Sequence, residues 1–184
     1  MRTAVIPARG GSVRIPRRNI ATFAGKSMMQ WPVEAAQASG LFDQIIVSTD
    51  DAEIASLARW LDCEVHMRPA DDGDVGTQVL AGRVLDWAQA QVEACVIYPC
   101  SPMLTASDLR DSCAALTRPR SYVVSYLGEQ DAGCFYWGSA GAFRDGLPLE
   151  GNTLRFQVDP ARFIDINTPS DWARAESMFN ALHP

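Results

Sequence analysis

The residues best suited to chemistry come early, in Ala8-Arg9-Gly10-Gly11-Ser12, directly after the apolar stretch Thr3 to Ile6. Two adjacent glycines let backbone N–H groups approach an anion with no Cβ in the way. Arg9 adds a planar fork of donors that matches a phosphate. Arg2, Arg9, Arg14, Arg17 and Arg18 crowd the same end of a chain whose formal net charge is −6. A solvated basic face accounts for the arginines but not for the glycines among them. A site for a small polyanion accounts for both. The spacing is neither GxGxxG nor GxxxxGKS/T, which excludes the dinucleotide fingerprint and the Walker loop.

Other chemistries find little support. The two histidines, His66 and His183, stand beside neither a glycine-rich nor an acidic motif, so a histidine-driven mechanism is not expected. The five cysteines (Cys63, Cys95, Cys100, Cys113 and Cys134) are odd in number, scattered and without a CxxC pair. That argues against a disulfide framework or a structural zinc site and for small buried hydrophobes in a reducing compartment. Net negative charge disfavours nonspecific binding of nucleic acid or anionic membrane. No apolar run approaches the length of a membrane span, and the start MRTAVIPARGG lacks the apolar core of a signal peptide. The expectation is a cytoplasmic protein with no nucleic-acid or membrane partner.

The elements that must position the loop can be read from periodicity. At 184 residues, 47% of them hydrophobic, the chain fits one domain over 1–184. Strands are expected at Thr3–Ile6, Ile45–Thr49, Cys63–His66, Ala94–Tyr98, Tyr122–Tyr126 and Gly133–Gly138. Helices are expected from Met28 to Ala38 with Gly40 as the stop, and from Ala52 to Leu61 under a cap of Asp50 or Asp51. Others run from Thr77 to about Val92, from a Ser107 or Thr105 cap to about Leu116, and from Thr168-Pro169 to near Leu182. Asp71 to Gly76 reads as a polar, turn-prone loop. Alternation of strand and helix predicts an α/β fold, a mostly parallel sheet covered by helices, with ligands at the carboxyl ends of the strands.

Several segments carry a family likeness. PARGGSVRIPRRNI, GLFDQIIVSTDDAEIA and RPAD resemble the CMP-sialic acid synthetase group of cytidylyltransferases. CVIYPCSPML, DAGCFYWG and RFIDINTPSDWARAE narrow the likeness to the pseudaminic acid cytidylyltransferase branch, and together these segments span nearly the whole chain. The resemblance implies a Rossmann-like nucleotidyltransferase fold with helices on both faces of the sheet. It implies CTP and a nonulosonic acid as substrates, Mg2+ as cofactor, and attack of the sugar's anomeric hydroxyl on the α-phosphorus with loss of pyrophosphate. Such chemistry needs in-line positioning and cationic stabilisation of phosphates more than a side-chain nucleophile.

Carried over by position, Arg9, Arg18 and Asp165 become the catalytic candidates. Ala8, Arg9, Gly10, Gly11, Ser12, Arg14, Asn19 and Ser101 become the nucleotide-binding set. Asp131, Gly133 and Tyr136 are placed toward the sugar, with Phe135 and Trp137 alternating into the core, and Asp165 and Asn167 toward the metal. Asp50 matches the acid of the family's STD motif, against a competing reading as the cap of the next helix.

Three departures from the family pattern follow. Val13 stands where the loop usually has lysine, Asn167 stands where the terminal motif has a second aspartate, and Tyr126 runs almost at once into the Asp131 segment. The family's insertion at that last place supplies a dimerisation arm, so a homodimer of this chain requires another surface. Three functional readings result: a cytidylyltransferase for a nonulosonic acid, a catalytically weakened relative that binds a nucleotide or sugar nucleotide, and a transferase with a smaller acceptor.

Overall fold

The computed structural model describes residues 1–69, 75–117 and 121–183. In chain order the first elements are β1 (Thr3–Pro7), the short β2 (Thr22–Phe23) and β3 (Lys26–Ser27), α1 (Gln30–Ser39), β4 (Gln44–Thr49), α2 (Ala52–Trp60) and β5 (Glu64–Met67). There follow α3 (Thr77–Trp87), β6 (Glu93–Ile97), α4 (Ala106–Ala114), β7 (Tyr122–Leu127), β8 (Gln130–Ser139), α5 (Ala140–Arg144), β9 (Thr153–Gln157) and α6 (Pro169–Leu182).

Seven strands form one sheet in the order β5-β4-β1-β6-β8-β7-β9. β1 pairs in parallel with β4 and β6, β4 with β5, and β7 with β9; β8 alone runs against its neighbours β6 and β7. Successive strand residues face opposite sides, and both sides are buried. Ala4, Ile6, Val47, Cys95, Ile97, Phe135 and Trp137 pack toward α1, α2 and α4. Val5, Ile46, Ala94, Val96 and Tyr136 pack toward α3 and α5. The expected α/β architecture, a mostly parallel sheet with helices on both faces, is the one observed. Phe135 and Trp137 are fully buried, as their alternation predicted.

The element ends differ from expectation for identifiable reasons. α1 begins at Gln30, not Met28, because Met28 and Met29 are fully buried and give their N–H groups to Ala21 and Asn19. It stops as predicted at Gly40, whose φ of 66° favours glycine. α3 ends at Trp87, five residues short of Val92. Gln89 takes a positive φ of 52°, Ala90 turns into the core, and Arg144 donates to the carbonyls of Leu85 and Ala90. That partner lies far along the chain and is invisible to periodicity. α4 is capped by Thr105 in a reciprocal capping box with Asp108, so Ser107 is not the cap. α6 carries the same device, Thr168 with Asp171, and Pro169 in its first turn.

β2, β3, α5 and β9 were not expected; β9 is an edge strand with little burial. β8 begins at Gln130, three residues before the expected Gly133, and only Gly128 and Glu129 separate its first pair with β7. Ala70 and Asp71 of the RPAD segment, and most of the loop expected over Asp71–Gly76, lie outside the described residues.

Candidate active site

The carboxyl ends of β1, β4 and β6 lie side by side in the sheet, and the chain leaving each of them builds the site. Because β8 runs backwards, its first residues reach the same edge, where Tyr98 donates its N–H to the Cys134 carbonyl. A cavity of about 500 Å³ opens there, within the range of small-molecule sites. Among the described residues its lining contains four arginines (Arg9, Arg14, Arg18 and Arg68) and one acid, Asp165.

The loop after β1 is held by specific side chains. Asn19, buried, donates from Nδ2 to the Arg9 carbonyl at 2.8 Å and accepts from Cys100 Sγ through Oδ1. Both ends of this amide are thus engaged in holding the loop, although Asn19 also lines the cavity. Gly10 donates its N–H to Asp50 Oδ1 at 2.8 Å. The neighbouring Asp51 caps α2, accepting from the N–H groups of Glu53 and Ile54, and pairs with Arg17 through both of its oxygens. The sequence left the capping role open between these two acids; the structure gives it to Asp51 and the loop to Asp50. A Cβ on Gly10 would lie 2.5 Å from Asp51 Oδ2, so this position must be glycine for steric reasons.

These contacts change how the phosphate-loop expectation is read. Ala8 is fully buried in the core, with its N–H on the Ser48 carbonyl, and is not in the cavity wall. Gly10 and Ser12 use their N–H groups on Asp50 and on the Gly10 carbonyl. A run of open N–H donors is therefore not what the loop presents; Gly11, Ser12, Val13 and three arginine side chains face the cavity instead. Val13 is 92% exposed.

Arg18 is the best-placed cation. Nη1 donates to the Ile166 carbonyl at 2.6 Å, while Nε is buried with no hydrogen-bond partner among the described residues. A buried charged donor left open in a cavity wall is costly unless a ligand oxygen completes it. Arg14 reaches Asn167 Oδ1 at 3.2 Å. Asp165 lies in the wall, while Asn167 lies behind it: its Nδ2 donates to Asp165 Oδ2, and its Oδ1 accepts from Arg14 and Arg18.

Of the three residues expected to face the sugar, only Gly133 lines the cavity. Asp131 braces it, accepting the Gly133 N–H at Oδ1 and the Tyr136 hydroxyl at Oδ2. Burial, and then the hydrogen bond to Asp131, push the Tyr136 phenol up, so it stays protonated as a donor. A bulge in β7 at Ser125 lets this corner bend inward, and Ser125 Oγ accepts the N–H groups of Cys134 and Phe135. Ser101 is buried in the wall as expected.

The sequence reading passed over Arg68, Thr77, Tyr98 and Cys100, all of which line the cavity. Their signal was position: Tyr98 ends an expected strand and Cys100 lies two residues beyond it, where ligands gather in open α/β sheets. Burial pushes the Cys100 thiol up to about 11, and burial likewise raises Cys134. Neither is a thiolate at neutral pH, so neither is an activated nucleophile. Neither His66 nor His183 is in the wall. The five cysteines are free thiols, and no cluster of three or more His, Cys, Asp or Glu is present among the described residues. No helix among them is long and apolar enough to cross a membrane.

A reversed strand thus interrupts an otherwise parallel sheet, and an arginine-lined cavity suited to an anionic ligand lies over the strand ends. Among solved structures the chain is similar to a CMP:2-keto-3-deoxy-manno-octonic acid synthetase complexed with CTP (TM-score 0.79, 14% identity, 98% of this chain and 99% of that one). It is equally similar to a nucleotidyl transferase from Methanothermobacter thermautotroptrophicus (TM-score 0.79, 19% identity, 99% of each chain). A family model described as Cytidylyltransferase matches residues 3–128. A pseudaminic acid cytidylyltransferase of Campylobacter jejuni subsp. jejuni serotype O:2 is 32% identical, across 97% of this chain and 96% of the relative. The chain belongs to the cytidylyltransferase family. The alignment with the Campylobacter protein runs over 223 positions against a chain of 184 residues, so that relative carries residues this chain lacks.

Proposed function

We propose that the protein transfers CMP from CTP to a nonulosonic acid of the sialic or pseudaminic type and releases pyrophosphate. The observation that carries this reading is the convergence of Arg9, Arg14, Arg18 and Arg68 on one cavity with a single acid among the described residues, in a chain 32% identical to a pseudaminic acid cytidylyltransferase. A hydroxyl oxygen of the acceptor bonds to the α-phosphorus as the bond to the β-phosphate bridging oxygen breaks, and the hydroxyl proton is lost to solvent. The residues bind and orient rather than form a covalent intermediate. Arg18, with its open Nε, and the exposed Arg9 and Arg14 neutralise the triphosphate, and stabilising the charge on the departing pyrophosphate is their main contribution to rate. The wall around Gly133, braced by Asp131 and Tyr136, is the acceptor side.

A divalent cation fits this site on the following terms. Magnesium is usually held by one or two carboxylates plus substrate phosphates. Asp165 offers an exposed carboxylate in the wall, whereas Asn167 has turned its carbonyl oxygen to the arginines. Asp165 would be the protein ligand, while Asn167, expected beside it, has its carbonyl oxygen engaged by Arg14 and Arg18. Bound there, magnesium supplies charge neutralisation across the phosphates.

The test is pyrophosphate release from purified protein with each of the four nucleoside triphosphates, magnesium and a panel of nonulosonic acids. Release with CTP and one sugar acid, abolished by Arg9→Ala and by Asp165→Ala, is the expected result. Release with another nucleotide, or CTP binding without release across the panel, refutes the proposal. The second of these results favours a binding relative or a smaller acceptor, a reading that Val13 and the short link between β7 and β8 support.

A further inference from the structure

We infer that Asn167 is a positioning residue, an amide clamp that ties the arginines of the β1 loop to the segment bearing Asp165 without any cation. This inference rests on the reading of the cavity as a nucleotide site and concerns how that site is kept assembled.

The clamp begins with a fixed backbone. Asn167 immediately precedes the cap of α6, and its N–H donates to Asp171 Oδ2, the same carboxylate that closes the capping box with Thr168. Ile166, next to it, is buried against Phe23, Met28 and Phe179. The side chain of Asn167 therefore leaves an anchored point.

Its two polar ends then face groups of opposite charge. Oδ1 accepts from Arg14 Nη2 at 3.2 Å and Arg18 Nη1 at 3.4 Å, and Nδ2 donates to Asp165 Oδ2. The orientation of the amide follows from chemistry: reversing it sets an NH2 against two guanidinium groups and a carbonyl against a carboxylate. Only a side chain with both a donor and an acceptor can make this bridge. An aspartate keeps the arginine contacts but sets two carboxylates against each other, a repulsion relieved by a cation between them or by taking up a proton. Arg18 is gripped twice, by Asn167 and by the Ile166 carbonyl, which leaves its buried Nε as the donor open to a ligand. The amide thus performs, in the metal-free protein, the charge-bridging that a cation performs between two acids.

Three measurements decide the matter. The first is a double-mutant cycle of Asn167→Ala and Arg18→Ala on urea unfolding of nucleotide-free protein in EDTA. The expected result is that Asn167→Ala raises the unfolding constant about tenfold when Arg18 is present and about twofold or less when it is absent. Equal factors in the two backgrounds overturn the clamp, whatever the protein binds. The second is Mn2+ binding followed by electron paramagnetic resonance. Wild type and Asn167→Ala are expected to agree within about twofold, or both to show no binding, while Asn167→Asp binds about tenfold more tightly. A loss on Asn167→Ala makes it a metal ligand and refutes the inference, as does the absence of any gain in Asn167→Asp.

The third is CTP binding by calorimetry in EDTA and in Mg2+. Wild type is expected to keep affinity in EDTA, and Asn167→Ala to lose about tenfold of it. Asn167→Asp is expected to lose affinity in EDTA and to regain it in Mg2+. Unchanged affinity in the variants refutes the role in nucleotide binding. If wild type binds no CTP under either condition, the cytidylyltransferase reading fails while the unfolding cycle still decides the clamp.

Discussion

Replacing Gly10 by alanine is the sharpest local perturbation of the site that leaves every charge in place. The added Cβ would lie 2.5 Å from Asp51 Oδ2, 2.8 Å from Asp51 Cβ and 3.0 Å from Asp51 Cγ. A rotation about χ1 could move the oxygen but not the Asp51 Cβ, which is fixed to the backbone. The carboxylate is also held by Arg17 and by the N–H groups of Glu53 and Ile54. Either the β1 loop or the first turn of α2 must shift. Forced shifts of this kind cost about 1–3 kcal/mol, and loss of an aspartate cap adds about 1 kcal/mol. The expected loss of stability is therefore about 2–4 kcal/mol. With a urea slope of about 2 kcal/mol/M, the unfolding midpoint drops by roughly 1–2 M.

Two controls make the reasoning refutable. Gly11 has nothing within 4 Å of its own Cβ position, so Gly11→Ala should move stability by under about 0.5 kcal/mol. Asp51→Gly removes all three atoms that Gly10→Ala would strike, and glycine as a cap costs only a few tenths of a kcal/mol. In that background, adding Gly10→Ala should cost less than about 1 kcal/mol. An equal cost in both backgrounds, or a Gly11→Ala cost matching that of Gly10→Ala, refutes the steric account. Because Gly10 also anchors the loop to Asp50, turnover in Gly10→Ala should fall about 100-fold from misplacement alone.

Two other outcomes follow from charged groups, one in the cavity wall and one away from it. Arg18→Met removes a buried Nε donor with no partner among the described residues along with the hydrogen bonds to Ile166 and Asn167, so stability should fall by only about 1–2 kcal/mol while nucleotide affinity falls at least about tenfold; calorimetry and urea unfolding on one preparation check both. Away from the cavity, burial raises the Asp108 carboxyl, but the Arg162 fork and the Thr105 hydrogen bonds outweigh it and hold it below its ordinary value. Arg17, first among its partners, holds Asp51 below as well. A depressed carboxyl contributes stability above its unfolded pKa of about 3.9 and loses it as pH falls through the folded value. Stability should therefore decline from about pH 5 downward. Arg162→Ala should flatten that decline and cost about 2–3 kcal/mol at pH 7, discounted because the arginine side chain is 24% exposed. A decline of unchanged slope in the variant refutes the assignment.

What the sequence determined by itself was set by local physics. Short continuous apolar runs placed β1, β4 and β6, alternation placed Phe135 and Trp137 of β8 in the core, and Gly40 and Thr168-Pro169 marked helix ends through their own backbone preferences. Local chemistry pointed to the glycine-arginine loop and the family resemblance to Asp165, and residues of both line one cavity. Other features depended on residues brought together from far along the chain. Arg144 ties down the end of α3 and the turn after it through the Leu85 and Ala90 carbonyls, and β9 takes its place by pairing with β7. Asp50 and Asp51, adjacent and chemically alike, took different roles because only one faces the Gly10 N–H and only one has the geometry of a cap. Ala8 went to the core because β1 continues its register onto Ser48. Asn167, expected as a metal ligand, turned its oxygen to arginines some 150 positions away. Backbone propensity is a property of neighbours in sequence, whereas the partner of a polar side chain is a property of neighbours in space.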